Sequence, residues 1–142
     1  MRVLALDLGS KRIGVAVSDR SGTIATPLTV VQRSGDVALD HARIAALVSE
    51  EEAVRVVVGL PLSLDGSLGP AAQAARAEAE ALAEVVPVPV ESFDERLTTV
   101  TAERALMEAK MRGQARRRVV DKVAAAVMLQ AWLDRARGLS GQ

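Results

Sequence analysis

Arg2-Val3-Leu4-Ala5-Leu6-Asp7-Leu8-Gly9-Ser10-Lys11-Arg12-Ile13-Gly14-Val15-Ala16-Val17-Ser18 decides how the chain is read. Two apolar runs, each of strand length, flank a Gly-Ser-Lys-Arg turn, which predicts a β-hairpin near the N-terminus. Asp7 interrupts the first run. Its apolar neighbours on both sides predict a strand covered on both faces, where a carboxylate is costly unless charge or hydrogen bonds compensate it. Such an acid either bonds the backbone of its own turn or serves as a metal ligand or catalytic acid at a strand end.

Outward from the hairpin, Asp19-Arg20-Ser21-Gly22 is a turn cluster and Thr23 to Val31 a third strand, whose Pro27 suits a sheet edge. Ser34-Gly35-Asp36 can cap a helix running to about Glu52, with Val37, Ile44, Leu47 and Val48 as its apolar stripe. Val54 to Pro61 is a β-branched run of the kind found in buried parallel strands. Pro70 then sits where a first helical residue is favoured. The helix behind it, to about Val85, aligns Ala75, Ala79, Leu82, Ala83 and Val86. Val88 to Phe93 is a fifth strand, and Thr98 or Thr99 can cap a short helix through about Lys110. A basic connector from Met111 to Arg118 leads to a last helix, about Val119 to Arg135, with Val120, Val123, Ala124, Val127 and Ala131 on its core face.

The order βββαβαβαα predicts an α/β fold: a five-stranded mixed sheet with strand 1 central, strands 4 and 5 parallel to it, and helices on both faces. This is the topology of the ribonuclease H-like fold. Residues 1–137 are expected to form one such domain, with 138–142 a flexible C-terminal tail.

Composition narrows the function classes. Of 142 residues, 49% are hydrophobic but only 1% aromatic, so the core must be built from Val, Leu, Ile and Ala. Lys+Arg and Asp+Glu are 18 each, so global charge does not advertise a polyanionic partner and such evidence must be local. There is no cysteine, which excludes a disulfide framework, a thiolate nucleophile and a Cys-based zinc site. No secretory signal or membrane-spanning run is read, so a cytoplasmic protein with no membrane partner is expected.

Three acidic positions break their apolar or boundary context: Asp7 in strand 1, Asp94 and Glu95 at the end of strand 5, and Asp121 at the opening of the last helix. Parallel strands 1, 4 and 5 send their carboxyl ends to one sheet edge, where α/β proteins bind ligands. Carboxylates crowded there repel one another unless a divalent cation sits among them. Magnesium or manganese, one or two ions, suits oxygen donors and the hydrolysis of a phosphodiester. Each acid also has a plainer use. Asp121 could favour a helix dipole, and Asp94 or Glu95 could pair with Arg96 at the surface. Because successive strand side chains alternate, Asp94 and Glu95 cannot both face one site. Glu95 is preferred, and Asp94 is kept as a possible additional acid.

Between Lys110 and Lys122 stand Lys110, Arg112, Arg116, Arg117, Arg118 and Lys122. Such a run is commonly a solvated face; beside an acidic site it also supplies counter-charge for a phosphate backbone, as do Lys11 and Arg12. With Phe93 and Trp132 as the only aromatics, base stacking is a poor basis for binding. Gly59-Leu60-Pro61 with Asp65-Gly66 lacks the spacing of a phosphate-binding P-loop, and a tight turn is the commoner role. His41, the single histidine, is expected at the surface.

Taken together, Ala5-Leu6-Asp7-Leu8-Gly9 with Arg12-Ile13-Gly14-Val15-Ala16, Val58-Gly59-Leu60-Pro61 with Asp65-Gly66, Asp94-Glu95-Arg96-Leu97-Thr98-Thr99, and Asp121-Lys122-Val123-Ala124-Ala125 resemble the YqgF/RuvX family. Its members are bacterial ribonuclease H-like proteins described as Holliday junction resolvases and as nucleases acting on pre-16S rRNA. The resemblance implies a divalent-metal nuclease with Asp7, Glu95 and Asp121 as ligands, and a cytoplasmic role in ribosomal RNA maturation. The expected partner is nucleic acid, either structured RNA or branched DNA. The protein is expected to act as a monomer or a homodimer. A non-catalytic RNA-binding factor is the alternative from another class.

Overall fold

Alternating apolar residues lay down a five-stranded sheet in the order β3-β2-β1-β4-β5, with β1 at its centre. The computed structural model describes residues 1–63, 65–95 and 113–140, and side chains of the last helix from 122 to 138. β1 (Arg2–Leu8), β2 (Arg12–Ser18) and β3 (Ala25–Gln32) form an antiparallel meander. α1 (Val37–Glu50) leads to β4 (Ala53–Leu60), and α2 (Pro70–Val85) to β5 (Val90–Asp94). β4 runs parallel to β1, and β5 parallel to β4. The last described element is α3 (Gly113–Ser140). The short helix expected over 98–110 lies outside the described residues.

Pro27 lies on the edge strand, opposite Ala16 and beside a register shift, where a missing N–H breaks no necessary ladder bond. The β1–β2 turn is tight: the Gly9 N–H donates to the Arg12 carbonyl at 2.9 Å. A Cβ on Gly9 would lie 2.6 Å from that same carbonyl oxygen, so the turn requires glycine.

Each sheet face has its own core. On one, Leu4, Leu6, Ile13, Val15, Val56 and Val58 pack against Ile44 and Val48 of α1 and Ala79 and Leu82 of α2. On the other, Val3, Ala5, Ala16, Val57 and Phe93 pack against Ala124, Ala125, Met128, Leu129 and Leu133 of α3. Burying a Val- or Leu-sized side chain contributes roughly 1.5–3 kcal/mol, so these two layers, aliphatic apart from Phe93 and the Met128 thioether, carry the fold with little aromatic bulk.

The helices differ in detail from the sequence expectation. In α1, Val37 is exposed and the buried stripe opens instead with Asp40 and His41. Ala83 of α2 is exposed, while Ala72 is buried. α3 begins at least as early as Gly113, so Arg116, Arg117 and Arg118, expected in a connector, are helical. Alanine and arginine favour that outcome, with near-optimal helix propensities. The same helix reaches Ser140, so 138–140 are helical where a frayed tail was expected. Its buried face is also rotated. Ala124, Ala125, Met128, Leu129 and Leu133 face the sheet, while Val123, Val127 and Ala131 are only half-buried.

Candidate active site

β1, β4 and β5 all end at the same sheet edge because they are parallel. Side-chain alternation then sorts the acids between the two faces. Val3 and Ala5 of β1 belong to the α3-side core, so Asp7 falls on that face, half-buried at the strand end. Val57 precedes Gly59 by two on β4 and also packs toward α3. One residue beyond the Leu6–Val58 pair, Asp7 and Gly59 stand on neighbouring strands, about 4.8 Å apart.

Glu95 closes the group. It follows β5 directly, and Phe93, two residues before it, faces α3. A Cβ built on Gly59 would lie 2.5 Å from Glu95 Oε1 and 2.5 Å from Met128 Sδ. The Glu95 carboxylate therefore lies over Gly59, between the end of β4 and α3, beside the strand that carries Asp7. Asp94 pairs in register with Leu60, and alternation turns it to the α1–α2 face. The structure thus brings Asp7 and Glu95 together and separates Asp94 from them.

Asp121 is the ninth residue of α3, more than two turns past Gly113. A helix dipole acts on charges within the first turn, so the dipole use of Asp121 loses its basis. Position 121 lies one turn before Ala124 and Ala125 and two before Met128 along the helix. Its side chain is outside the described set. Among the described residues no three His, Asp or Glu groups stand close enough to hold a metal. Asp7 and Glu95 supply two hard oxygen donors.

The basic residues divide similarly. Lys11 is exposed at the tip of the β1–β2 turn, Arg12 begins β2 half-buried, and Lys122 is half-buried on α3. Arg116, Arg117 and Arg118 lie in the first two turns of α3, and Arg112 is outside the described residues. Lys11 and Arg12 line an open pocket of about 440 Å³ with Gln32, Arg33 and Asp40, between the hairpin turn and the start of α1. The loop after β4 is a self-closed turn: the Ser63 N–H donates to the Ser67 carbonyl and the Gly66 N–H to the Ser63 carbonyl.

Beneath the hairpin turn lies a buried ionic group. Arg33 donates to both Glu78 carboxylate oxygens at 2.9 and 2.8 Å, and its Nε donates to the Gly9 carbonyl at 2.7 Å. His41 is not a surface residue: it is 3% exposed, and its Nε2 lies 2.8 Å from Glu78 Oε2. Burial alone would raise the Glu78 pKa, but the hydrogen bonds from Arg33 and His41 outweigh it and hold the carboxyl below its ordinary value. Two residues after Asp7, the backbone is thereby fastened to α1 and α2.

A three-stranded meander extended by parallel β4 and β5, with α1 and α2 on one face and α3 on the other, is the ribonuclease H-like arrangement. Thermus thermophilus RuvC, solved in complex with a Holliday junction substrate, shares this fold with a TM-score of 0.61 at 18% identity over 97% of this chain and 96% of that one. The chain belongs to the RuvX family, described as Holliday junction resolvase, whose model matches residues 1–135. A Myxococcus xanthus protein named "Putative pre-16S rRNA nuclease" is 50% identical over 137 residues, 96% of this chain and 90% of that protein. A Mycobacterium protein of the same name is 50% identical over 137 residues, 96% of this chain and 81% of its own length. The family is one of nucleases, enzymes that cleave phosphodiester bonds, and the chain stands among them. None of its described helices is long and apolar enough to cross a membrane.

Proposed function

We propose that the protein hydrolyses phosphodiester bonds of structured precursor RNA, with pre-16S rRNA as substrate and the cytoplasm as its place of action. What supports this reading is that the Glu95 carboxylate lies over Gly59 of β4, the strand next to the one that carries Asp7. The half-identical relatives named for pre-16S rRNA supply the substrate.

Asp7, Glu95 and Asp121 are the residues that would hold magnesium or manganese, one or two ions, because carboxylate oxygens of this kind match hard cations. A bound ion would supply Lewis-acid polarisation of the phosphoryl oxygens and lower the pKa of water. The protein's own groups do the rest. Asp7 and Glu95 present fixed negative oxygens at a sheet edge that the underlying β-ladder keeps rigid. Lys11 and Arg12 at the hairpin and Lys122 on α3, with Arg112, Arg116, Arg117 and Arg118, offer cations to the phosphates on either side of the cleaved bond. With so few aromatics, contact is to backbone and shape rather than to bases.

A second reading, cleavage of a four-way DNA junction, is favoured by the family's description. It requires two sites facing opposed strands, hence a symmetric dimer. Incubating a pre-16S rRNA fragment and a four-way junction side by side, each with magnesium, manganese or EDTA, separates the two. The proposal expects metal-dependent cleavage of the RNA by a monomer or a homodimer. Paired symmetric cuts in the junction alone would move the assignment to the resolvase. Binding of RNA without cleavage of either substrate would overturn both in favour of a non-catalytic RNA-binding factor.

A further inference from the structure

Glycine inside a strand is unfavourable relative to alanine and needs a reason. Gly59 lies in β4 between the buried Val58 and Leu60, and its φ is not among the positive glycine values. The backbone conformation therefore does not demand it. The space above it does. A Cβ at this position would lie 2.5 Å from Glu95 Oε1, 3.0 Å from Glu95 Cγ and 2.5 Å from Met128 Sδ. Carbon and oxygen atoms that are not bonded do not approach this closely in a relaxed structure.

We propose that Gly59 is a positioning residue: its missing side chain is the seat that sets where the Glu95 carboxylate rests beside Asp7. The inference rests on the site assignment above and adds a residue that carries no chemistry of its own. All three atoms in the way belong to flexible side chains, none to backbone. A methyl group at position 59 can therefore be accommodated without unfolding, by moving the carboxylate off its place and tilting Met128. The fold survives and the site does not. This differs from Gly9, where the atom in the way is a carbonyl oxygen of the main chain that cannot step aside.

The test compares Gly59→Ala, Glu95→Gln, Glu95→Asp and the doubles Gly59→Ala/Glu95→Asp and Gly59→Ala/Met128→Ala. Single-turnover cleavage, RNA affinity by anisotropy and thermal melting are read on each. Gly59→Ala is expected to cut cleavage at least about 10-fold, the scale of a misplaced reacting group, with RNA affinity unchanged. Its melting temperature should stay within about 5 °C of the parent, a shift of order 1 kcal/mol for a domain of this size. Shortening the acid by one methylene clears the new methyl, so the Gly59→Ala/Glu95→Asp double should be less impaired than the product of its singles. If Gly59 served only to admit Met128, the Met128→Ala double would recover activity and the Glu95→Asp double would not, which would overturn the inference. Wild-type cleavage by Gly59→Ala, or its failure to fold, would overturn it as well. Full activity in Glu95→Gln would instead remove the site assignment on which it rests.

Discussion

At the scale of single residues, Glu78 does the work of several contacts. It accepts two hydrogen bonds from Arg33 and stands within hydrogen-bond distance of His41, and all three are mostly shielded from water. Glu78→Ala removes the acceptor of two Arg33 hydrogen bonds and of the His41 contact, and is expected to cost about 2–3 kcal/mol in denaturant titration. The sign of its pH dependence follows from the lowered pKa. A carboxyl whose folded pKa lies below its unfolded value contributes stability that is complete above the unfolded value. That contribution is lost as pH falls through the folded one. Stability should therefore decline below about pH 4.5, the ordinary value for this group, and Glu78→Gln should flatten that decline. Glu52 offers the opposite case. It takes a φ of +54° just past the end of α1, where glycine is at home and a branched carbon is not. Glu52→Gly is expected to raise stability by about 0.5–1 kcal/mol, measured by the same titration.

Among the elements, α3 lies over the Glu95 carboxylate's seat through Met128, and its attachment rests partly on Gln130. The Gln130 side chain accepts from the Ala25 N–H at 2.9 Å and donates to the Thr23 carbonyl at 2.8 Å, tying the helix to the start of β3. Gln130→Ala removes both bonds and should cost about 1–2 kcal/mol. Cleavage should fall with it if the helix loosens from the sheet, which a joint melting and activity measurement would read. The elements themselves were legible in the chain. Apolar runs of strand length marked β1 and β2, a β-branched run marked β4, Pro27 marked the edge strand, and Asp36 and Pro70 marked helix starts. The register of α3 was not. Val120, Val123, Ala124, Val127 and Ala131 suggested a core face, but among the described side chains the sheet takes Ala124 and Ala125 with Met128 and Leu129, and Val123, Val127 and Ala131 are only half-buried. His41 was misjudged for a related reason. Its burial depends on Glu78, 37 residues away, and on Arg33, and no local pattern announces such a partner. Gly59 read as a turn glycine because its neighbour in space, Glu95, lies 36 positions further along the chain, just past the end of β5.

At the scale of the whole molecule, the two faces of the sheet divide the labour. α1 and α2 cover one face and fasten the hairpin turn through Arg33, while α3 covers the other and closes on the acidic edge. Both described cores are built from apolar side chains. If the proposed function holds, chelation should abolish cleavage while moving the melting temperature little beyond the linkage expected of a weakly held ion. The measurement that tests the central claim most directly is cleavage of a pre-16S rRNA fragment by Asp7→Asn, in a preparation free of contaminating nuclease, with melting followed in parallel. The substitution keeps shape and removes charge. Cleavage should fall by at least about 100-fold, the upper range for disturbing a metal's supporting residues, with the melting temperature essentially unchanged. Cleavage by Asp7→Asn at the wild-type rate would contradict the assignment of this edge as the active site.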